Sequence, residues 1–306
     1  MDLNIDLVYM WVDGSDPKWL QKKQQYIDQK INTTGRFQDN SELKYSLRSI
    51  DKHIPWIRKI FIVTDNQVPK FLDTKHPKIE IVDHTEIIPK EYLPSFNSSV
   101  IEHFIHNIPN LSEHFLFSND DMFLNADVAP DFFFQNGLPI MRMLHDPIIR
   151  EKLFMKRLLN LKINTYRLAI ENAYKLFQKK FNIFYPVKEH HNIHAFLKSD
   201  YKVVMDEVFK KELKHMYANR FRHRSDIHRI LVNYYAIKNN TGILKNPDRY
   251  ESCRLRVQQT NYQKYIDKYN PKMFCLNDTE HATDDHRAHI EPFLKQLFPQ
   301  KASFEK

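Results

Sequence analysis

The sequence predicts an α/β fold built on a mainly parallel sheet, and three observations lead there. Four short runs rich in β-branched and aromatic residues, Leu7–Val12, Lys59–Thr64, Ile79–Val82 and Phe115–Phe117, have the near-continuous apolar character of strands covered on both faces. Helical patterns separate them: Glu42–His53, with Asn40 or Ser41 as its cap and Leu43, Leu47 and Ile50 on one side, and then Ser99–Asn107. The chain of 306 residues, 42% apolar and rich in Phe and Tyr, is long enough to bury a substantial core around such a sheet.

In chain order, residues 1–145 carry the alternation of strands and helices and form the expected nucleotide-binding core. Residues 146–190 turn helical and basic. Between Arg150 and Lys180 nine Lys or Arg stand against Glu151 and Glu171, with Leu158, Leu161, Leu168 and Phe177 among them. Two readings of that insertion stay open, a solvated charged face on ordinary helices or a surface for a membrane or an acceptor. Residues 191–306 are expected to be a helical part that completes the site as one unit with the core. Its helices are predicted over Asp200–Met216, Asp226–Lys238 and Asp285–Leu297, the last interrupted at Pro292 and closed by Pro299.

Composition narrows the function classes. A net charge of +8 and a pI near 9.2 favour anionic partners, whether nucleotides, phosphorylated glycans or an acidic membrane surface. Gly14, Gly35, Gly137 and Gly242 are isolated, so neither a P-loop nor a dinucleotide fingerprint exists; side-chain cations and a divalent metal would have to grip a phosphate. Cys253 and Cys275 are too few for a disulfide framework or a thiolate zinc site, and free structural thiols are expected. The stretch Met1–Asp6 lacks a secretory pattern, and no run approaches the ~18 apolar residues of a span, so the expected location is the cytoplasm.

Five segments carry candidate chemistry. The strand ending in VDGSDP, with Asp13 and Gly14, runs into a turn where α/β sheets bind ligands, although Asp-Gly and Asp-Pro also make ordinary turns. FLFSNDDMF ends a buried strand in the adjacent carboxylates Asp120 and Asp121, whose mutual repulsion a hard cation such as Mg²⁺ or Mn²⁺ would relieve, although a short acidic motif is also a common surface turn. In HHNIH, His191 and His194 share a face if the segment is helical and can move protons or bind metal, although a histidine is more often a partly buried hydrogen-bonder. RFRHRSD offers Arg222 and Arg224 as forks for phosphate oxygens or, alternatively, as a salt-bridged helix start. CLND supplies Asn277 and Asp278 as oxygen ligands or as a capped turn.

Taken in this order, these pieces resemble the Stealth family, which includes bacterial capsular polysaccharide phosphotransferases and the catalytic subunit of the animal lysosomal-enzyme GlcNAc-1-phosphotransferase. The resemblance covers nearly the whole chain, through IDLVYMWVDGSDP, then RFQDNSELKYSLRSI, PWIRKIFIVTDNQVP and LPSFNSSVIEHFIHNIPNLSEHFLFSNDDMFL, then HHNIHAF and RFRHRSDIH, then CLNDTEH with FPQKASFEK. It implies a Rossmann-like core of the nucleotide-sugar transferase kind, with active-site roles for Glu102, Asp121, His191 and Arg222. It further implies substrate contacts from Asp13, Gly14, Arg36, Asn97, Ser98, His194 and Arg224, and Mg²⁺ or Mn²⁺ beside Asp120, Asp121, Asn277 and Asp278.

The reaction so implied moves a hexose- or N-acetylhexosamine-1-phosphate, as from UDP-GlcNAc, to a glycan hydroxyl and releases UMP. The acceptor is expected to be lipid-linked, with peripheral contact at the inner face of the cell membrane. A metal-dependent glycosyltransferase releasing UDP is the nearest rival. A non-catalytic basic module for RNA or anionic lipid is the second, disfavoured because it leaves the acidic groups at two strand ends without a purpose; nucleic acid is not an expected partner.

Overall fold

The computed structural model describes residues 3–27, 40–279 and 281–306. Its strands, in chain order, are β1 (Ile5–Met10), β2 (Ile60–Thr64), β3 (Ile79–Asp83), β4 (His114–Asn119), β5 (Met122–Leu124), β6 (Phe134–Gln135), β7 (Leu138–His145), β8 (Val187–Glu189), β9 (His194–Leu197), β10 (Ile243–Lys245), β11 (Ser252–Arg256) and β12 (Met273–Asn277). The main sheet has the order β3-β2-β1-β4-β9, with the first four strands parallel and β9 antiparallel to β4. It is the predicted α/β, mainly parallel architecture. Side chains alternate between two apolar layers, Val8, Phe61, Val63, Phe115 and Phe117 on one face and Leu7, Tyr9, Ile60, Ile62 and Leu116 on the other. Burial on both faces is why these strands read as continuous apolar runs.

Two smaller sheets flank it. One has the order β10-β7-β6, with β8 also paired to β7; the other is β11-β12-β5, in which β5 follows β4 directly through Asp120 and Asp121. Phe123, Phe274, Leu276, Cys253 and Leu255 of the latter pack on the C-terminal helix through Phe293 and Leu294. The closing residues FPQKASFEK act as a clasp: Ala302 and Phe304 are buried, and Glu305 forms a 2.6 Å ion pair with Arg48 of helix Glu42–His53.

The helices depart from expectation in instructive ways. Glu42–His53 forms as predicted. The predicted helix 99–107 is instead a five-residue helix, Ser98–Glu102, and a separate 3-10 turn, Ile105–Asn107. The predicted helix 226–238 begins only at Ile230, because the Asp226 carboxylate turns inward to accept from Asn97, Asn219 and the His223 amide. Pro292 makes no kink: it sits in the first turn of helix Ile290–Leu297, where its missing N–H is not needed, and Asp284–Arg287 is a separate short helix. The part beyond residue 190, expected to be helical, also supplies β9 to the main sheet and β11 and β12 to the third. Strands of four or five residues are too short for their periodicity to show.

One register decides where the site lies. β1 pairs with β2 on one side and β4 on the other, and Met10 stands opposite Asn119. The turns after β1 and β4 therefore leave the sheet side by side at its topological switch point, where open α/β sheets bind ligands.

Candidate active site

The carboxyl end of the sheet carries several buried polar atoms that find no hydrogen-bond partner among the described residues. Trp11 Nε1 follows β1, Thr64 Oγ1 and Asp65 Oδ2 end β2, His84 Nδ1 follows β3, and Asp121 Oδ1 follows β4. Buried polar atoms are nearly always satisfied, so a row of exceptions along one sheet edge marks where a polar ligand belongs. The turn that carries Asp13 is firmly built beside it. Asp13 Oδ1 accepts from the Ser15 amide and hydroxyl, Gln67 bonds the Asp13 backbone in both directions, and Asp16 caps helix Pro17–Gln24. Gly14 lies in this half-exposed turn.

At the β4–β5 turn the Asp121 carbonyl accepts from Leu276 N of β12, which pins the turn. Asp121 Oδ2 lies 3.0 Å from His191 Nε2, and both side chains are accessible, at 19% and 29% exposure. Burial works to lower the His191 pKa, but the charge and hydrogen bond of Asp121 outweigh it, so the imidazole is held above its ordinary value. Asp120 is half-buried, and its charge adds to the upward push that burial gives the Tyr9 phenol. The HHNIH segment is not helical: residues 190–193 form a turn, and His194 opens β9. His190 and Asn192 are anchored on Ser252 of β11 at 3.1 and 2.6 Å, which leaves His191 facing Asp121.

Behind this pair lies a buried ionic centre that sequence motifs did not disclose. Arg229, 5% exposed, donates from Nε to Glu102 Oε2 and from Nη1 to Glu189 Oε1, both at 2.8 Å. Its guanidinium also lies over the rings of Phe117 and Phe196, at 4.6 and 5.1 Å. Two carboxylates thus share one cation, and burial, opposed by Arg229 and reinforced by Glu102, pushes the Glu189 carboxyl up to about 7. His194 and His228 approach Glu189 at 3.8 and 3.9 Å, and burial above all keeps both neutral. His194, expected to contact substrate, is a member of this buried centre instead, at 5% exposure.

The short helix that carries Glu102 also meets the basic segment. Ser98, in the first turn of the short helix that ends at Glu102, accepts from Arg222 Nη2 at 2.7 Å. Asn97 is fully buried, its amide spent on the Asn219 and Phe221 carbonyls and on Asp226, and its Oδ1 caps the short helix. It therefore positions the 219–226 loop and is closed to a ligand, contrary to its expected role. Arg224 is exposed and lines a cavity at the foot of the helical insertion. The expected contact at Arg36 lies outside the described residues. Of the four expected active-site residues, Asp121 and His191 pair directly, Glu102 shares Arg229 with Glu189, whose charge reaches His191, and Arg222 is held by Ser98 at the other end of the short helix that ends at Glu102.

A divalent cation has a partial fit here. Asp121 Oδ1 is buried with no hydrogen-bond partner among the described residues, and Asn277 follows Leu276, whose amide donates to the Asp121 carbonyl. Asp278, expected as a fourth ligand, is held instead by both nitrogens of an Arg287 fork, at 2.7 and 3.3 Å. Among the described residues no group of three or more His, Cys, Asp or Glu is assembled for a metal. Such a donor set suits Mg²⁺, which keeps waters and takes substrate phosphates as ligands. A further cation that motifs missed is Arg254, exposed on β11 directly opposite Cys275 of β12; its charge reaches His190 and His191. Both cysteines are free and buried, as expected.

Comparison with known proteins matches three family models: Stealth protein CR1, conserved region 1, over residues 4–31; CR2, conserved region 2, over 36–140; and CR4, conserved region 4, over 265–306. The exopolysaccharide phosphotransferase cps2G of Lactiplantibacillus plantarum is 32% identical, over 99% of this chain and 96% of its own. The capsular polysaccharide phosphotransferase fcs1 of Haemophilus influenzae is 36% identical, over 93% and 80%. Among solved structures, the galactosyltransferase LgtC, in complex with donor and acceptor sugar analogs, aligns at a TM-score of 0.48 and 10% identity, over 97% of this chain and 96% of that one.

Proposed function

The chain belongs to the Stealth family and is an enzyme of the transferase class, and from that premise we propose that it transfers a sugar-1-phosphate from a UDP-sugar to a glycan hydroxyl in capsule or cell-surface polysaccharide synthesis. The observation that carries this is the row of unpartnered buried polar atoms at the carboxyl ends of β1 to β4, beside the Asp121–His191 pair. In the proposed reaction the acceptor oxygen attacks the β-phosphorus, the bond from that phosphorus to the bridging oxygen breaks, and UMP leaves with that oxygen. The anomeric bond stays intact, so its configuration is retained.

His191, oriented and made more basic by Asp121 Oδ2, takes the acceptor's proton. Arg222, held by Ser98, offsets charge on the transferring phosphoryl group. Glu102 is bound by Arg229, which favours an orienting role over that of base. Mg²⁺, held by Asp121 with Asp120 or Asn277, would supply charge neutralisation for the diphosphate when bound. The acceptor in this proposal is lipid-linked at the inner face of a membrane.

Incubating the protein with UDP-sugars, a glycan acceptor and Mg²⁺, with and without chelator, tests the assignment by its leaving group. UMP formation that the chelator abolishes is the expected outcome; UDP formation would instead identify a glycosyltransferase.

A further inference from the structure

Helix Ile149–Leu158 inverts the usual relation between apolar residues and the core. Of its ten residues only Leu153 is buried. Phe154, Met155, Leu158, Leu159 and Leu161 are 65, 47, 64, 59 and 53% exposed, and Ile148, just before the helix, is 52% exposed. Phe154 and Leu158, four residues apart, share one face of the helix, and Leu159 and Leu161 lie exposed in and just past the turn at Asn160. Scattered exposed apolar residues are ordinary, but six large ones within fourteen positions of one helix and its turn make a patch that water disfavours.

The cations around the patch say what covers it. Arg157 and Lys152 are paired with Glu171 and Asp146 and serve to hold the helix to the body. Lys162 and Arg167, beyond the turn, are exposed, and among the described residues neither has an anionic partner. An apolar face bordered by uncompensated cations complements an acidic bilayer, where side chains such as Phe and Leu enter the acyl boundary while Lys and Arg meet phosphate. No helix among the described residues is long and apolar enough to cross a membrane, so the contact is with one face of the bilayer.

The patch also joins the candidate site. Past the turn, the Tyr166 ring packs edge-on against His228 at 5.2 Å. A cavity of about 380 Å³, lined by Arg157, Lys162, Thr165, Leu168 and Arg224, runs between the insertion and the basic segment of the site. We infer that the exposed face of residues 148–161 docks on an anionic phospholipid surface and sets the site beside it, so that a membrane-bound acceptor reaches Arg224 through this cavity. The delivery rests on the proposed function; the docking does not.

Co-sedimentation with vesicles separates the two. The full chain is expected to bind vesicles of phosphatidylglycerol and phosphatidylcholine, and phosphatidylcholine alone much more weakly. The triple variant Phe154→Ser/Leu158→Ser/Leu161→Ser should lose binding by roughly tenfold or more at an unchanged melting temperature, since these positions face solvent. Lys162→Glu/Arg167→Glu should lose the preference for the anionic lipid, and the wild-type preference should fade with salt. Two results overturn the inference: equal vesicle binding by the folded wild type and the triple variant, or a wild-type dimer in solution that the triple variant converts to monomer, which would make the patch a face between copies. Neither depends on which nucleotide the enzyme releases.

Discussion

Asp121 and Arg229 are both charged groups set into the protein interior, yet their surroundings treat them in opposite ways. Arg229 is met by Glu102, Glu189 and the faces of Phe117 and Phe196. Asp121 gives one oxygen to His191 and keeps the other buried with no hydrogen-bond partner among the described residues. A buried ion with all its partners supports the fold around it, whereas a buried oxygen without one is held for something that arrives. The contrast divides the site into a rigid ionic floor and an open edge at the sheet's switch point.

The largest expected effect that tests this division is on stability. Arg229→Ala leaves the buried Glu189 and the half-buried Glu102 without their cation and should lower unfolding free energy by about 3–5 kcal/mol, read by denaturant titration. A variant as stable as wild type would break the contrast from the Arg229 side. Asp121→Ala should do the reverse, cutting turnover by about 10²–10³ while the melting temperature stays near the wild-type value. Near-normal turnover there would remove the proposed metal and orienting roles together.

A smaller effect sharpens the picture of the floor. The Glu189 carboxyl moves from an ordinary 4.5 to about 7 on folding, so between those values the folded protein holds a proton that the unfolded chain has released. Stability should therefore fall as pH rises through that window and level off above about 7. Glu189→Gln cannot release this proton, and its stability should be flatter over the same range. An unchanged pH dependence would mean that Arg229 keeps Glu189 ionised throughout.

Much of the frame was legible because local patterns report local structure. The apolar runs at β1, β2, β3 and β4 and the stripe Leu43, Leu47 and Ile50 appear where predicted, since strands covered on both faces and an amphipathic helix imprint their burial on consecutive residues. Motif resemblance singled out Glu102, Asp121, His191 and Arg222; in the fold Asp121 pairs with His191, Glu102 with Arg229, and Arg222 with Ser98. Arg229 passed unnoticed, although a charged residue directly before the apolar run Ile230-Leu231-Val232 is a signal that one face of the chain needs an ion inside.

Residue order and composition by themselves determined the parallel core, the acidic turn at the end of β4 and the basic character of residues 150–180. Tertiary structure alone decided that Asn97 is closed off as a support, that Asp278 is taken by Arg287, and that Glu102 and Glu189 share Arg229 from 127 and 40 positions away. The reason is physical: burial and pairing of a polar group depend on what the folded chain brings against it, and those neighbours lie far beyond the span over which sequence periodicity carries information.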